Sequence, residues 1–145
     1  MSRHDDIAEA LAVLREGNHA AVATVHGDGA PAVAVVGVAA NDDLTMLVFD
    51  TLETTRKLGN LKRDGRVALT AWHGAKTIQI EGNARIAAQH ELAMVKQLYF
   101  ATFPDGPSRE VWPGISYVVI GPTWIRMSDF SGETPRVVML ESHEI

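Results

Sequence analysis

The stretch Phe49-Asp50-Thr51-Leu52-Glu53-Thr54-Thr55-Arg56-Lys57-Leu58-Gly59-Asn60-Leu61 carries a strand into a helix. The apolar run Leu44 to Phe49 predicts the strand, and Thr54 or Thr55 supplies the helix cap. Leu58 and Leu61 form the inner face of that short helix, which Asp64-Gly65 ends. Its first turn holds Arg56 and Lys57, where the helix dipole favours acids instead. Free backbone N–H groups, two hydroxyls and two cations at one helix start suit a dianion such as a phosphate. The same residues also suit a plainly capped, solvated helix end.

Outward from this point, short strands and polar turns dominate. His19 to His26 and Pro31 to Ala40 flank the Gly27-Asp28-Gly29 turn, and Asn41-Asp42-Asp43 leads into the third strand. The second run is apolar on both faces, so its outer side lies against a ligand, another subunit or more protein. Val67 to Trp72 and Lys76 to Ala87 follow as a hairpin around His73-Gly74-Ala75. Ile115 to Ile120 and Trp124 to Ser128 form a long strand bent near Gly121-Pro122, and Arg136 to Leu140 a last one. Helices are predicted over 4 to 16, where Ser2 and Asp5 make a capping box, and over 89 to 102, stopped by Pro104. The residues after Leu140 read as a frayed tail. Strands outnumber helices and no βαβ rhythm occurs. The expected fold is mainly β: an antiparallel barrel with peripheral helices, in one domain spanning 1–145.

Composition narrows the chemistry. The chain has 145 residues, a formal net charge of -5 and no cysteine, which excludes disulfides, thiolate metal sites and a cysteine nucleophile. No apolar run reaches the roughly 18–20 residues of a membrane helix, and the polar start Met1 to Asp6 is unlike a signal peptide. A cytoplasmic protein is expected. The six histidines lack metal-site spacing, so no metal is expected. Ser108, Ser116, Ser128 and Ser131 lack a nucleophile-elbow context. Five of the thirteen Lys and Arg residues fall between positions 56 and 66. Lys62, Arg63 and Arg66 read as a solvated face, and the acidic total argues against nucleic acid as a partner.

Three pieces in order give a more specific signal: the Gly29-Ala30-Pro31 turn and its long strand; Thr55-Arg56-Lys57 with Asn60-Leu61 and Arg63 to Leu69; and Glu81-Gly82-Asn83-Ala84-Arg85. Together they resemble the pyridoxamine 5'-phosphate oxidase-like, FMN-binding split-barrel superfamily, chiefly over residues 18 to 87. The resemblance implies a six-stranded Greek-key split barrel and a homodimer with flavin at the subunit interface. By the same resemblance Thr55, Arg56 and Lys57 hold the phosphate, Asp50 and Thr51 lie near the ribityl and phosphate groups, and Val35, Val36, Gly37 and Val38 run along the isoalloxazine edge. Thr77 aligns with a ring-contacting glutamine. Asn60 faces the same helix turn or simply anchors the barrel. Trp124 and Trp112 are candidates to cover the ring, while Trp72 reads as packing.

This sequence departs from the oxidase itself. Its second strand is wholly uncharged, and no Arg-x-His stretch stands near the C-terminus. The implied activity is an FMN-dependent oxidoreductase acting between a reduced nicotinamide or similar donor and a small molecule. A non-catalytic flavin carrier and a deazaflavin-dependent reductase are the alternatives. Flavin chemistry needs no protein acid or base for hydride transfer, so no catalytic side chain is assigned. His19 and His73 are candidate proton donors or plain surface groups; Arg126 reaches the flavin or a substrate, or pairs with an acid such as Asp129, and is not assigned as catalytic.

Overall fold

The computed structural model describes residues 2–140, so the expected C-terminal tail lies outside the described residues. Helix α1 (Arg3–Gly17) begins at the predicted capping box: the Asp5 N–H donates to the Ser2 hydroxyl, and the Asp5 carboxylate accepts from the Ser2 backbone. Asn18, left-handed at φ 60°, ends it. Ala10, Leu11, Val13 and Leu14 are buried, and with them α1 plugs the barrel along β5 (Arg66–His73) and β6 (Lys76–Ile86).

The remaining strands are β1 (His19–Val25), β2 (Pro31–Gly37), β3 (Ala39–Ala40), β4 (Leu47–Leu52), β7 (Ile115–Asp129) and β8 (Arg136–Leu140). All pairings are antiparallel, in the order β2-β1-β5-β6-β7-β4-β3, with β8 added alongside β7. The expected second strand, Pro31 to Ala40, is divided. Its first part pairs with β1 at one end of the sheet and Ala39–Ala40 pairs with β4 at the other. One extended segment therefore curls the sheet toward closure, and β2 also touches β4. Six long strands make the split barrel; β3 is a two-residue continuation and β8 an addition at the edge.

Two further boundaries differ from expectation for local reasons. The third strand starts at Leu47, not Leu44, because Asn41 Oδ1 accepts from the N–H groups of Thr45 and Met46 and holds Leu44 in a turn at φ 58°. The long strand β7 stays continuous through Gly121-Pro122. The irregularity is a bulge: Glu81 pairs with Trp124 and Gly82 with Pro122, which leaves Thr123 extra. A Cβ at Gly82 would collide with the carbonyl oxygen of Gly121.

Helix α2 (Arg56–Arg63) joins β4 to β5, and α3 (Leu92–Thr102) follows a 3-10 turn at Gln89–Glu91. One apolar cluster fills the barrel, with Phe49, Leu58, Ile78, Ile80 and Ile125 at its centre. A second lies outside the barrel, where Val95 and Tyr99 of α3 pack on Ala39, Val48, Tyr117 and Val119.

Candidate functional site

Strand alternation in β4 sets the geometry. Phe49 and Thr51 turn toward the barrel, whereas Val48 and Asp50 turn toward α3. Thr51 is buried, and its hydroxyl lies 3.0 Å from that of Thr55. Thr55 is the N-cap of α2: its hydroxyl donates to the Leu52 carbonyl at 2.9 Å and accepts from the Leu58 N–H. The cap chemistry thereby fixes the point at which the helix starts.

That helix start opens on a groove of about 400 Å³. Thr54, Thr55, Arg56 and Lys57 form one wall; Thr24 of β1 and Ala32, Val33 and Ala34 of β2 form the other. No acid stands in the first turn of α2. Arg56 Nη2 donates to His26 Nε2 at 2.8 Å. Lys57 is half-buried and makes no ion pair or side-chain hydrogen bond among the described residues. The other half-buried lysines have acids: Lys76 has Glu9 at 3.1 Å and Lys96 has Glu110 at 3.0 Å. A half-buried cation without a counter-charge, at the positive end of a helix, favours an anion in the groove.

The helix is tied to β1 along its whole length. Asn60, buried, donates through Nδ2 to the Thr24 hydroxyl at 3.0 Å. Arg63 Nη2 donates to the Val25 carbonyl at 3.1 Å and to Asn60 Oδ1 at 2.8 Å. Arg56, Asn60 and Arg63 thus grip His26, Thr24 and Val25. The expected solvated face at Arg63 is instead a contact with the β1 terminus; Arg66 pairs with Asp64, whose carboxyl it holds down at about 2.

The structure brings Thr51, Thr55, Arg56, Lys57 and Asn60 together and sends Asp50 elsewhere. Its carboxylate accepts from Tyr99 Oη at 3.0 Å and Arg109 Nε at 2.8 Å, clasping α3 and the 104–114 segment onto β4. Burial, with the Asp50 charge, pushes the Tyr99 hydroxyl far up. Val36 and Val38 are buried in the barrel core. Gly37 sits where the strand turns its corner, with space only for Phe103: a Cβ there would stand 2.7 Å from Phe103 Cζ. Val35 is 70% exposed.

Thr77 and Trp124 lie on the outer face of the sheet. Thr77 pairs with Trp72 and Ser128, and Trp124 with Glu81. Trp124 lines a second groove, about 360 Å³, with Ala21, Val33, Thr70 and Gln79. Val33 borders both grooves, so the cationic helix start and the Trp124 groove adjoin along β2. Trp112 and Trp72 are both exposed. Sequence reasoning did not select His26, Ala32, Val33 or Ala34. The available signal was the strict alternation of small and larger apolar residues in Ala32-Val33-Ala34-Val35, which puts both valines on one face. Among the described residues no three metal-ligating side chains cluster, and no helix is long and apolar enough to cross a membrane.

Comparison with known proteins gives this arrangement a context. No curated protein matches the sequence. Among solved structures, a pyridoxamine 5'-phosphate oxidase-related, FMN-binding protein from Nostoc punctiforme is similar at TM-score 0.72 and 16% identity, covering 97% of this chain and 91% of that one. A protein related to general stress protein 26 of the pyridoxinephosphate oxidase family, from Clostridium acetobutylicum, is similar at TM-score 0.73 and 15% identity, covering 99% of both chains. A heme-binding protein from Mycobacterium smegmatis is similar at TM-score 0.82 and 16% identity over 99% of this chain, which spans 60% of that protein's length. These likenesses establish the fold. The family model described as pyridoxamine 5'-phosphate oxidase matches residues 7–129, and the chain therefore belongs to the pyridoxamine 5'-phosphate oxidase family.

Proposed function

We propose that the chain is an FMN-binding oxidoreductase working between a reduced nicotinamide or similar donor and a small molecule. The observation that carries this reading is the half-buried Lys57, without an acid among the described residues, beside Arg56 and the Thr55 cap at the head of α2. The donor set fits a dianionic phosphate: two cations, the Thr54 hydroxyl and the first backbone N–H groups of the helix. The family and the FMN-binding relative support flavin as the group that carries that phosphate.

When bound, FMN would supply the two-electron hydride chemistry between donor and acceptor. The chain's own residues anchor and shape. Arg56 and Lys57 neutralise the phosphate. Thr51 holds the Thr55 hydroxyl in its capping position. Asn60 and Arg63 fix the helix against β1. Ala32 and Ala34 have side chains small enough to leave the β2 backbone accessible along the groove. Trp124 and Val33 offer an apolar surface next to the anion site, suited to excluding water from a ring.

The working unit in this reading is a homodimer with flavin at the subunit interface. Val33 and Val35 are 73% and 70% exposed on the outer face of the sheet, and Trp72 shares that face at 61%. Such a surface needs cover.

The test is to denature the purified protein and identify what it releases. A yellow supernatant absorbing near 450 nm, by flavin chemistry, with the chromatographic mobility of FMN is the expected result. A deazaflavin would shift the reading to the related reductase on the same phosphate site. Haem, or a colourless protein that binds no flavin on titration, overturns it.

A further inference from the structure

His26 directly follows β1 and enters a tight turn: its N–H donates to the Ala30 carbonyl at 2.8 Å, and its carbonyl accepts from the Gly29 N–H at 2.9 Å. Gly29 is left-handed at φ 89°, and Asp28 Oδ1 accepts from the Ala30 N–H at 3.0 Å. The backbone that carries the imidazole is therefore fixed. Arg63 braces the same turn, with its guanidinium beside Gly27 and its bond to the Val25 carbonyl. The half-buried imidazole reaches Arg56 across thirty residues of sequence, Nε2 to Nη2 at 2.8 Å. A guanidinium only donates, so Nε2 is the accepting nitrogen.

We infer that His26 is a positioning residue for the anion site, holding the Arg56 guanidinium at the mouth of the groove before the phosphate arrives. The inference rests on the flavin-phosphate reading above. Arg56 is otherwise an exposed arginine at a helix start, with several free torsions. Ordering such a side chain on binding costs affinity, and a partner that orders it beforehand removes part of that cost. Arg56 has no carboxylate partner among the described residues. A neutral acceptor orients the cation without cancelling the charge that the phosphate needs.

The test is a fluorescence titration of the full chain with FMN and with riboflavin, which lacks the phosphate. The variants are H26A, H26Q, R56A and the H26A/R56A double variant. The expected result is a three- to tenfold loss of FMN affinity in H26A with riboflavin affinity unchanged. H26Q, whose amide oxygen replaces the acceptor, recovers most of that loss. In the R56A background H26A has no further effect. Equal loss for FMN and riboflavin, or unchanged FMN affinity in H26A, overturns the positioning role while leaving the phosphate site standing. A wild-type chain that binds FMN no more tightly than riboflavin overturns both.

Discussion

Asn60 Nδ2 donates to the Thr24 hydroxyl at 3.0 Å, joining the middle of α2 to the penultimate residue of β1 between two buried side chains. The same Asn60 accepts from Arg63 through Oδ1 at 2.8 Å. Removing the amide strands a buried hydroxyl and leaves the Arg63 guanidinium with the Val25 carbonyl but without Asn60. N60A is expected to destabilise the fold by about 1–3 kcal/mol, read as a lower denaturant midpoint with unchanged slope, and to weaken FMN binding because the helix head shifts. A midpoint equal to wild type would show that the link carries no load.

Asp50 makes the opposite prediction. Its carboxylate serves Tyr99 and Arg109 on the α3 side of β4, and its side chain and that of Arg109 are only 13% and 19% exposed. D50A leaves a largely buried guanidinium with only the exposed Asp105 as counter-charge, and is expected to cost about 2–3 kcal/mol. FMN affinity should stay within about threefold of wild type. A large loss of affinity at full stability would place Asp50 in the cofactor site after all.

The helix head is legible in the sequence, but this division of labour is not. Ser2 with Asp5 and Thr55 before Arg56 are local signals, legible because a cap and its partners lie within one turn. Asp50 and Thr51 are neighbours in sequence and face opposite ways in the strand, and only the tertiary position of α3 shows which face meets the groove. Pro31 to Ala40 reads as one strand, since the corner at Gly37 is set by Phe103 from beyond α3. His26 and Arg56 lie thirty residues apart, outside the reach of any local pattern.

Glu91 gives the structure a signature at low pH. Its carboxylate accepts from Arg85 and from the Ala88 N–H, which lowers its pKa from 4.5 to about 2. The unfolded chain therefore binds a proton more readily than the folded one between these values. The stabilisation is complete above about pH 4.5 and is lost as pH falls toward 2. E91Q is expected to melt below wild type near neutrality, with the gap closing as pH drops through that window. A gap independent of pH would contradict the ionic origin.

The exposed valines of β2 predict a dimer. Light scattering at roughly micromolar concentration, where a dissociation constant below that range leaves dimer dominant, should report the mass of two 15.7 kDa chains. V33D/V35D should report one, with the same circular dichroism, because both side chains point away from the barrel core. A monomeric wild type would remove the dimer from the account.

The most direct test of the central claim is the affinity of the purified apoprotein for FMN, compared between wild type and R56A/K57A. Loss of both cations is expected to weaken binding at least tenfold, about 1.4 kcal/mol or more, with the melting temperature changed little, since Lys57 has no ion pair among the described residues to lose and Arg56 gives up only its exposed bond to His26. FMN affinity unchanged in the double variant would contradict the assignment of the α2 head as the phosphate site.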